Sequence, residues 1–374
     1  MRVLVALTYY RPHISGLTIY AERLARALTR RGHQVTVLTS RHDATLPLHD
    51  TADGVRITRV PVWARLGKGV VMPSIGWRAT RELLRHDAVI LHLPQLDAAG
   101  IALRARALGK PTVLVYHCDL QLPPGRLNHV AERVVAVAND VAARAAHRVV
   151  AYTDDFAASS PLLRRHRHKM VTLLPPVPAS ATAAMPRTPP DPPVIGMATR
   201  FAAEKGVEVL LDALPVVLAR VPDAVVHFAG QVHDVWGEEA LRARLLPRIA
   251  ALEAAGRWVF RGTLAPGDMA GFYRGLTVLV VPSLNSTESF GLVQVEAMLE
   301  GVPVVASNLP GVRQPVRITG FGQVVPVGDA AALAEALLTE LSHPRLPDAS
   351  PAELARRFSP DENARAFEAL LEAC

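Results

Sequence analysis

The 374-residue sequence predicts an α/β protein built as two tandem doubly wound domains. Three observations carry this reading: short β-branched runs alternate with longer amphipathic ones, a proline-rich stretch interrupts the alternation near the middle, and the alternation then restarts. With 50% hydrophobic and 20% charged residues, the chain can bury two cores.

The first half opens on "RVLVAL" (2–7), a helix-like run from about Leu17 to Arg31 and "HQVTVLT" (33–39). It continues through "AVILHL" (88–93), "PTVLVYH" (111–117), an Ala/Val-rich helix near 127–146 and "HRVVAYT" (147–153). Strands separated by helices require right-handed crossovers and hence a parallel sheet. Eight prolines in "PPVPASATAAMPRTPPDPP" (175–193) fix φ and remove donors, which predicts a stiff, extended linker. The pattern resumes in "PVIGMAT" (193–199), a helix from about Gly206, "AVVHFAG" (224–230), "WVFRG" (258–262), "LTVLVVPS" (276–283), "PVVAS" (303–307) and "GQVVPV" (322–327). Expected boundaries are therefore 1–174, a linker at 175–192, 193–358, and a terminal helix at 359–374 that crosses back to the first domain. Ser359-Pro360 supplies its start signal. Sheets of this kind bind ligands outside their carboxyl ends, so an interdomain cleft is where chemistry is expected.

Composition narrows the function classes. There is no run of about 18 apolar residues and no usual secretory leader, so a cytoplasmic protein is expected. Two cysteines, Cys118 and Cys374, make no disulfide framework, and no Cys/His spacing suits zinc. Residues 1–186 hold 25 Lys+Arg against 12 Asp+Glu, whereas residues 187–374 hold 16 against 22. A basic first half fits an anionic membrane surface, nucleic acid or an acidic small molecule. Only four of the 41 basic residues are lysine, a bias that compositional habit explains equally well. Nucleic acid is not expected as a partner, because no basic sheet face carries stacked aromatics. Between Val60 and Arg85, Trp63, Trp77, Val70, Val71 and Met72 interleave with Arg65, Lys68, Arg78 and Arg81. That mixture suits peripheral contact with the inner face of an anionic bilayer; the alternative is tryptophans packed in the core. A second basic run, "RRHRHK" (164–169), belongs to the same half.

Three loops of the second half follow strands. In "GMATRFAAEKG" (196–206), Arg200 and Lys205 stand between a strand and a helix start, where a diphosphate is readily held. In "SLNSTESFGLVQVEAMLEG" (283–301), Glu288 is a loop residue, Ser289 is expected to cap a helix ending near Glu300, and Glu296 lies about two turns inside it. A carboxylate on so apolar a helix needs a partner, either ligand hydroxyls or an arginine such as Arg313 or Arg317. In "RGTLAPGDM" (261–269), Gly262 and Leu264 offer main-chain groups to a flat base.

In combination, "GxxxR-x4-K-G", "RG.L" and "ESFG-x4-EAM-xx-G-x-PVVA" resemble the C-terminal domain of the retaining glycosyltransferases of family 4, which have the GT-B fold. "SGLTIYAERLARALTRRGHQVTVLT" resembles the first glycine-bearing loop, helix and second strand of that family, and "VYHCD" its strand-end histidine. The resemblance implies an enzyme that moves a hexose from a nucleotide diphosphate sugar to a hydroxyl of a lipid or soluble glycoside. It implies that Arg200 and Lys205 hold the donor diphosphate, Glu288 the transferred sugar and Glu296 the nucleotide ribose. Main-chain groups of Ser289, Phe290, Gly291 and Leu292 would contact sugar and phosphate, Gly16 would admit the diphosphate, and His117 and Asp119 would meet the sugar or the acceptor. Front-side attack without a protein nucleophile is the implied mechanism. No DxD-like motif stands in these loops, so no metal or other cofactor is expected. Two features depart from the family. Ser15-Gly16 stands where many members have two glycines, and "CDLQLPPGRLN" after His117 has diverged, so acceptor contacts do not transfer across it. A sugar-nucleotide epimerase, a phosphorylase of the same fold and a non-catalytic paralogue are the alternatives; a dehydrogenase is disfavoured because no G-x-G-x-x-G follows the first strand.

Overall fold

The computed structural model describes residues 1–66, 69–122, 125–183, 185–345 and 347–374; Lys68 lies outside them. The chain forms two compact units, residues 1–176 with 358–374, and residues 177–357.

The first unit is a sheet in the order β10-β9-β8-β7-β1-β2-β4-β3. Its strands are β1 (Arg2–Ala6), β2 (Gln34–Arg41), β3 (His49–Ala52), β4 (Val55–Pro61), β7 (Ala88–Leu93), β8 (Thr112–Tyr116), β9 (Arg148–Ala151) and β10 (Met170–Thr172). Between β4 and β7 a separate hairpin pairs β5 (Ala64–Leu66) with β6 (Gly69–Val71). All pairings in the large sheet are parallel except that of the exposed edge strand β3 with β4. β1 and β7 are buried along almost their whole length, which is why they read as unbroken apolar runs. The hairpin of β3 and β4 has no strong alternation and was not expected from the sequence.

Helices α1 (Gly16–Arg30), α2 (Ile75–Arg85), α3 (Ala98–Ala107), α4 (Arg126–Ala145), α5 (Asp154–Ser159) and α6 (Pro161–Arg165) connect these strands. α1 begins where expected, with the Ser15 hydroxyl accepting from the Thr18 amide. Because β1 lies between β7 and β2, the strand order reverses there, and the loop into α1 opens at that switch point.

The second unit is an all-parallel sheet in the order β13-β12-β11-β14-β15-β16. It comprises β11 (Val194–Ala198), β12 (Val225–Ala229), β13 (Trp258–Gly262), β14 (Val278–Val281), β15 (Val304–Ser307) and β16 (Gly322–Val325). This is the doubly wound order 3-2-1-4-5-6, whose switch point lies between β11 and β14. Its helices are α7 (Val207–Arg220), α8 (Glu239–Ala254), α9 (Met269–Arg274), α10 (Leu292–Leu299), α11 (Gln314–Thr319), α12 (Ala330–Ser342) and α13 (Pro351–Arg357). Two apolar clusters, one holding Ile195, Phe228 and Leu337 and the other Leu279, Met298 and Val304, fill the two faces of the sheet.

The proline-rich stretch is not a free spacer. Ser180 and Thr182 donate to the Glu300 carboxylate, and Arg187 donates to the carbonyls of Arg274 and Gly301, so this segment is built into the second unit. A buried carboxylate at Glu300 needs those donors, and the linker supplies them.

The terminal helix α14 (Pro360–Glu372) belongs to the first unit. Ser359 caps it, its hydroxyl accepting from the amides of Asp361 and Glu362. Glu368 accepts from Arg31 at 2.6 and 2.7 Å and meets His33 at 2.7 Å, and Asn363 donates to the Leu174 carbonyl at 2.8 Å. Arg31, followed by His33, holds the Glu368 carboxyl down at about 2. Among the described residues no helix is long and apolar enough to cross a membrane.

Candidate active site

At the switch point of the second unit the loops after β11 and β14 are pinned to each other. The Leu284 amide donates to the Glu204 carbonyl at 2.9 Å. Gly206, at φ +72, lies so close to β14 that a Cβ there would sit 2.0 Å from the Pro282 carbonyl oxygen. Glycine is required at that position both for the left-handed backbone and for the approach. The consequence is an ion pair: Lys205 Nζ lies 2.6 Å from Glu288 Oε2, with the two side chains 13% and 22% exposed. These residues are 83 positions apart in sequence, and each takes up the other's charge in a half-covered setting. Arg200, more exposed, pairs with Glu204 at 3.1 Å. Among the described residues no group of three His, Cys, Asp or Glu could hold a metal ion.

The helix after Glu288 differs from expectation. Ser289 is buried and does not cap it; Gly291, at φ +79, is the cap residue and α10 starts at Leu292. The reason is packing: Phe290 is fully buried, which pulls the chain inward before the helix can begin. Gln294, also fully buried, donates from Nε2 to the carbonyls of Phe290 (2.7 Å) and Val312 (2.9 Å), holding the turn in place. Phe290, Gly291 and Leu292 thus stand at the head of α10, where main-chain amides serve anions. Glu296 lies one turn into α10, not two, and accepts the Tyr273 hydroxyl at 2.7 Å. Gly262, at φ +69 and exposed, ends β13, with its carbonyl accepting from the Gly230 amide, while Leu264 packs against the core beside α10.

In the first unit the expected residues are Gly16, His117 and Asp119. Gly16 is the exposed first residue of α1, and a Cβ there would meet nothing within 4 Å. His117 follows β8 but is only 4% exposed, with Nε2 2.8 Å from His92 Nδ1 and Nδ1 against the Tyr152 hydroxyl. Both of its ring nitrogens are engaged within the protein. Tyr20 packs edge-on against the same ring, at 5.1 Å between centroids. Burial pushes the His92 imidazole down to about 3, and burial with His92 nearby holds His117 well below the ordinary histidine range, so both rings are neutral. Asp119 accepts from the hydroxyls of Tyr116 (2.8 Å) and Ser160 (2.7 Å), which fixes it beside the divergent loop. Sequence reading passed over His92, Tyr152 and also Asp97, whose carboxyl burial pushes up to about 6 just beyond β7. A perturbed acid at the carboxyl end of a sheet is a recognised site signal, but only burial reveals it.

Two doubly wound units, the second carrying a paired lysine and glutamate and a helix head at its switch point, define a nucleotide-binding class of two-unit α/β enzymes. Residues 182–362 match the family Glycosyl transferases group 1, and residues 15–176 match the Glycosyl transferase 4-like domain. The chain is 30% identical to the 2-deoxystreptamine N-acetyl-D-glucosaminyltransferase of Streptomyces fradiae, over 95% of this chain and 90% of that one. It is 29% identical to the phosphatidyl-myo-inositol mannosyltransferase of Mycobacterium leprae, over 92% of this chain and 89% of that one. Its fold superposes on Anabaena Alr3699/HepE, solved in complex with UDP and glucose, with a TM-score of 0.72 and full coverage of both chains at 18% identity. The chain belongs to the GT-B glycosyltransferases of the group 1, family 4-like kind, and is a hexosyltransferase.

Proposed function

We propose that this enzyme transfers a hexose, with retention of anomeric configuration, from a UDP- or GDP-sugar to a ring hydroxyl of a cyclitol. The observation that carries the donor half is the Lys205–Glu288 pair at the switch point, fixed by Gly206 against Pro282. A cation and an anion held together in this way can part to grip a diphosphate and sugar hydroxyls respectively, each with geometry already set. The UDP and glucose bound by the Anabaena protein support a nucleotide diphosphate sugar as donor. The cyclitols named for two relatives, phosphatidyl-myo-inositol and 2-deoxystreptamine, support a cyclitol as acceptor.

In this reading the bond from the sugar C1 to the diphosphate oxygen breaks as the acceptor oxygen bonds C1 from the same face. The acceptor proton passes to the departing phosphate. Lys205 and Arg200 neutralise the charge that builds on the diphosphate, which is where most of the rate acceleration arises. Glu288 positions sugar hydroxyls and does not attack; Glu296, turned to Tyr273, holds the ribose. Phosphate oxygens would sit at the head of α10, and Gly262 and Leu264 would border the base. Neither metal nor other cofactor is required, since arginine and lysine supply the positive charge. Trp63 and Trp77 are 79% and 64% exposed, with the Arg81 guanidinium 5.7 Å from the Trp77 ring centroid, which supports contact of the first unit with an anionic bilayer.

The test incubates the full chain with UDP-, GDP- and ADP-sugars and a set of cyclitol acceptors, in EDTA and in magnesium, following nucleotide release and anomeric configuration by NMR. An α product from an α donor at equal rates in both buffers is expected. A β product would overturn retention, and turnover restored only by magnesium would overturn the metal-free account.

A further inference from the structure

The loop from β1 into α1, residues 8–15, opens at the switch point of the first unit, and four consecutive carbonyls in it are claimed. Thr8 accepts from the Ser40 amide at 3.0 Å and the Thr39 hydroxyl at 3.1 Å, both on β2. Tyr9 accepts from the Thr18 hydroxyl on α1 at 3.3 Å, and Tyr10 from the His13 amide at 3.2 Å. Arg11 accepts from the Arg59 guanidinium on β4 at 3.3 Å. Beyond this stem Pro12, His13 and Ile14 form an exposed crest, and Gly16 follows shortly after.

The side chains add a buried charge. Glu22, one turn past Thr18 on α1, is 5% exposed, and its carboxylate accepts from the half-buried Arg11 guanidinium. Arg26, a further turn along, lies 2.8 Å from the other carboxylate oxygen and reaches on to Asp53 in the β3–β4 turn. Arg59 is itself only 2% exposed; besides Arg11 it donates to Asp50 of β3 at 3.3 Å and to the Pro47 carbonyl at 3.1 Å. The loop is therefore held by its Arg11 side chain from α1 and by its Arg11 backbone from β4.

Stability alone does not account for this arrangement. Burying a carboxylate and a guanidinium costs desolvation that apolar residues of similar volume avoid, whereas the charged groups admit only one geometry. We infer that Glu22 and Arg59 are positioning residues for hexosyl transfer: through Arg11 they hold the β1–α1 loop in the conformation that presents Gly16 and the crest to the donor. This rests on the reading that the glycine-bearing loop admits the donor diphosphate. A displacement of about 1 Å at a substrate-positioning loop can cost on the order of 100-fold in rate, so the lock governs turnover although Glu22 and Arg59 are buried away from any substrate.

The experiment compares the full-chain wild type with Arg11→Gln, Glu22→Gln, the double variant, Arg11→Lys, Arg59→Lys, Arg26→Gln and Gly16→Ala. It follows nucleotide release from UDP-glucose and GDP-mannose, melting temperature, and hydrogen exchange of the amides of residues 8–16. Arg11→Gln and Glu22→Gln should each lower kcat by about tenfold and speed exchange in the loop. The double variant should lose no more than either single change, because both remove the same contact. Arg11→Lys keeps the charge and should recover part of the loss, whereas Arg59→Lys lacks the fork that spans Arg11, Asp50 and Pro47 and should lose about as much as Glu22→Gln. Arg26→Gln removes a partner of Glu22 that does not touch the loop, so it should lower Tm and leave kcat within about twofold. Arg11 is half-buried, so its variants report even where Glu22→Gln does not fold.

A lower Tm with kcat and loop exchange unchanged in Arg11→Gln and Glu22→Gln overturns the inference, as does Arg26→Gln matching them in kcat. Turnover lost in Glu22→Gln but untouched in Gly16→Ala strikes the diphosphate reading and leaves the lock standing; the reverse pattern strikes the lock and leaves that reading. Should the wild type turn over neither sugar nucleotide, those donors fall, and unchanged loop exchange in Arg11→Gln would still overturn the lock.

Discussion

In the second unit Lys205 and Glu288 meet as ions at 2.6 Å. In the first unit a cluster near the carboxyl ends of β7 and β8 is made of neutral rings, His92, His117, Tyr20 and Tyr152, all buried. Both clusters occupy the end of a parallel sheet where ligands bind, yet they solve different problems. An ion pair with part of its surface open can be drawn apart by a ligand of matching charge. A stack of buried neutral rings cannot, because charging any member would cost its desolvation; such a stack sets shape. The difference teaches that the second unit presents a pair of opposite charges at its switch point, whereas the first buries a cluster of neutral rings at the end of its sheet.

The largest test of that division is Lys205→Ala. In the proposed mechanism it removes a cation that neutralises the departing diphosphate, and it leaves Glu288 without its partner, so kcat should fall by about 10²–10³-fold with the fold retained. Steady-state nucleotide release checks this, and an unchanged kcat would remove Lys205 from the diphosphate. Next come the two glycines. Gly206→Ala forces a Cβ into the Pro282 carbonyl at φ +72 and should destabilise by at least about 2 kcal/mol in denaturant melts. Gly16→Ala meets nothing and should leave stability within about 0.5 kcal/mol. If it nevertheless weakens donor binding, the glycine serves the ligand and not the fold.

The neutral rings make a pH prediction. Between its ordinary value and about 3, His92 binds a proton only when unfolded, so the unfolded state takes up more protons there. Stability should be full above roughly pH 6.5 and fall on acidification, with His92 contributing a slope of up to about 1.4 kcal/mol per pH unit. His117, shifted in the same direction, adds to it. His92→Asn keeps a hydrogen-bonding group beside His117 without titrating, and should flatten the dependence of Tm on pH. The smallest effect on the fold is expected from Trp77→Ser, within about 0.5 kcal/mol because the ring is exposed. Cosedimentation with anionic vesicles should drop all the same; undiminished sedimentation would take Trp77 out of the membrane contact.

Much of this was legible in the chain. Alternating β-branched runs and amphipathic segments write the doubly wound order locally, since each buried strand and each helix face carries its own periodicity. That Arg200, Lys205 and Glu288 stand in loops after strands, and Glu296 on the helix that follows, was also readable, because glycines and charges interrupt the apolar runs there. What the sequence could not express was which residues meet. Ser289 looks like a cap, but burial of Phe290 moves the helix start to Leu292. His117 reads as the end of its strand, and only folding brings His92 and Tyr152, 25 and 35 positions away, onto its two nitrogens. The prolines of 175–193 look like a spacer, but Glu300 needs the hydroxyls of Ser180 and Thr182. Local pattern and loop chemistry were thus set by the sequence alone. Pairing, burial and protonation were decided by tertiary structure, because each depends on partners that only folding brings within hydrogen-bond reach.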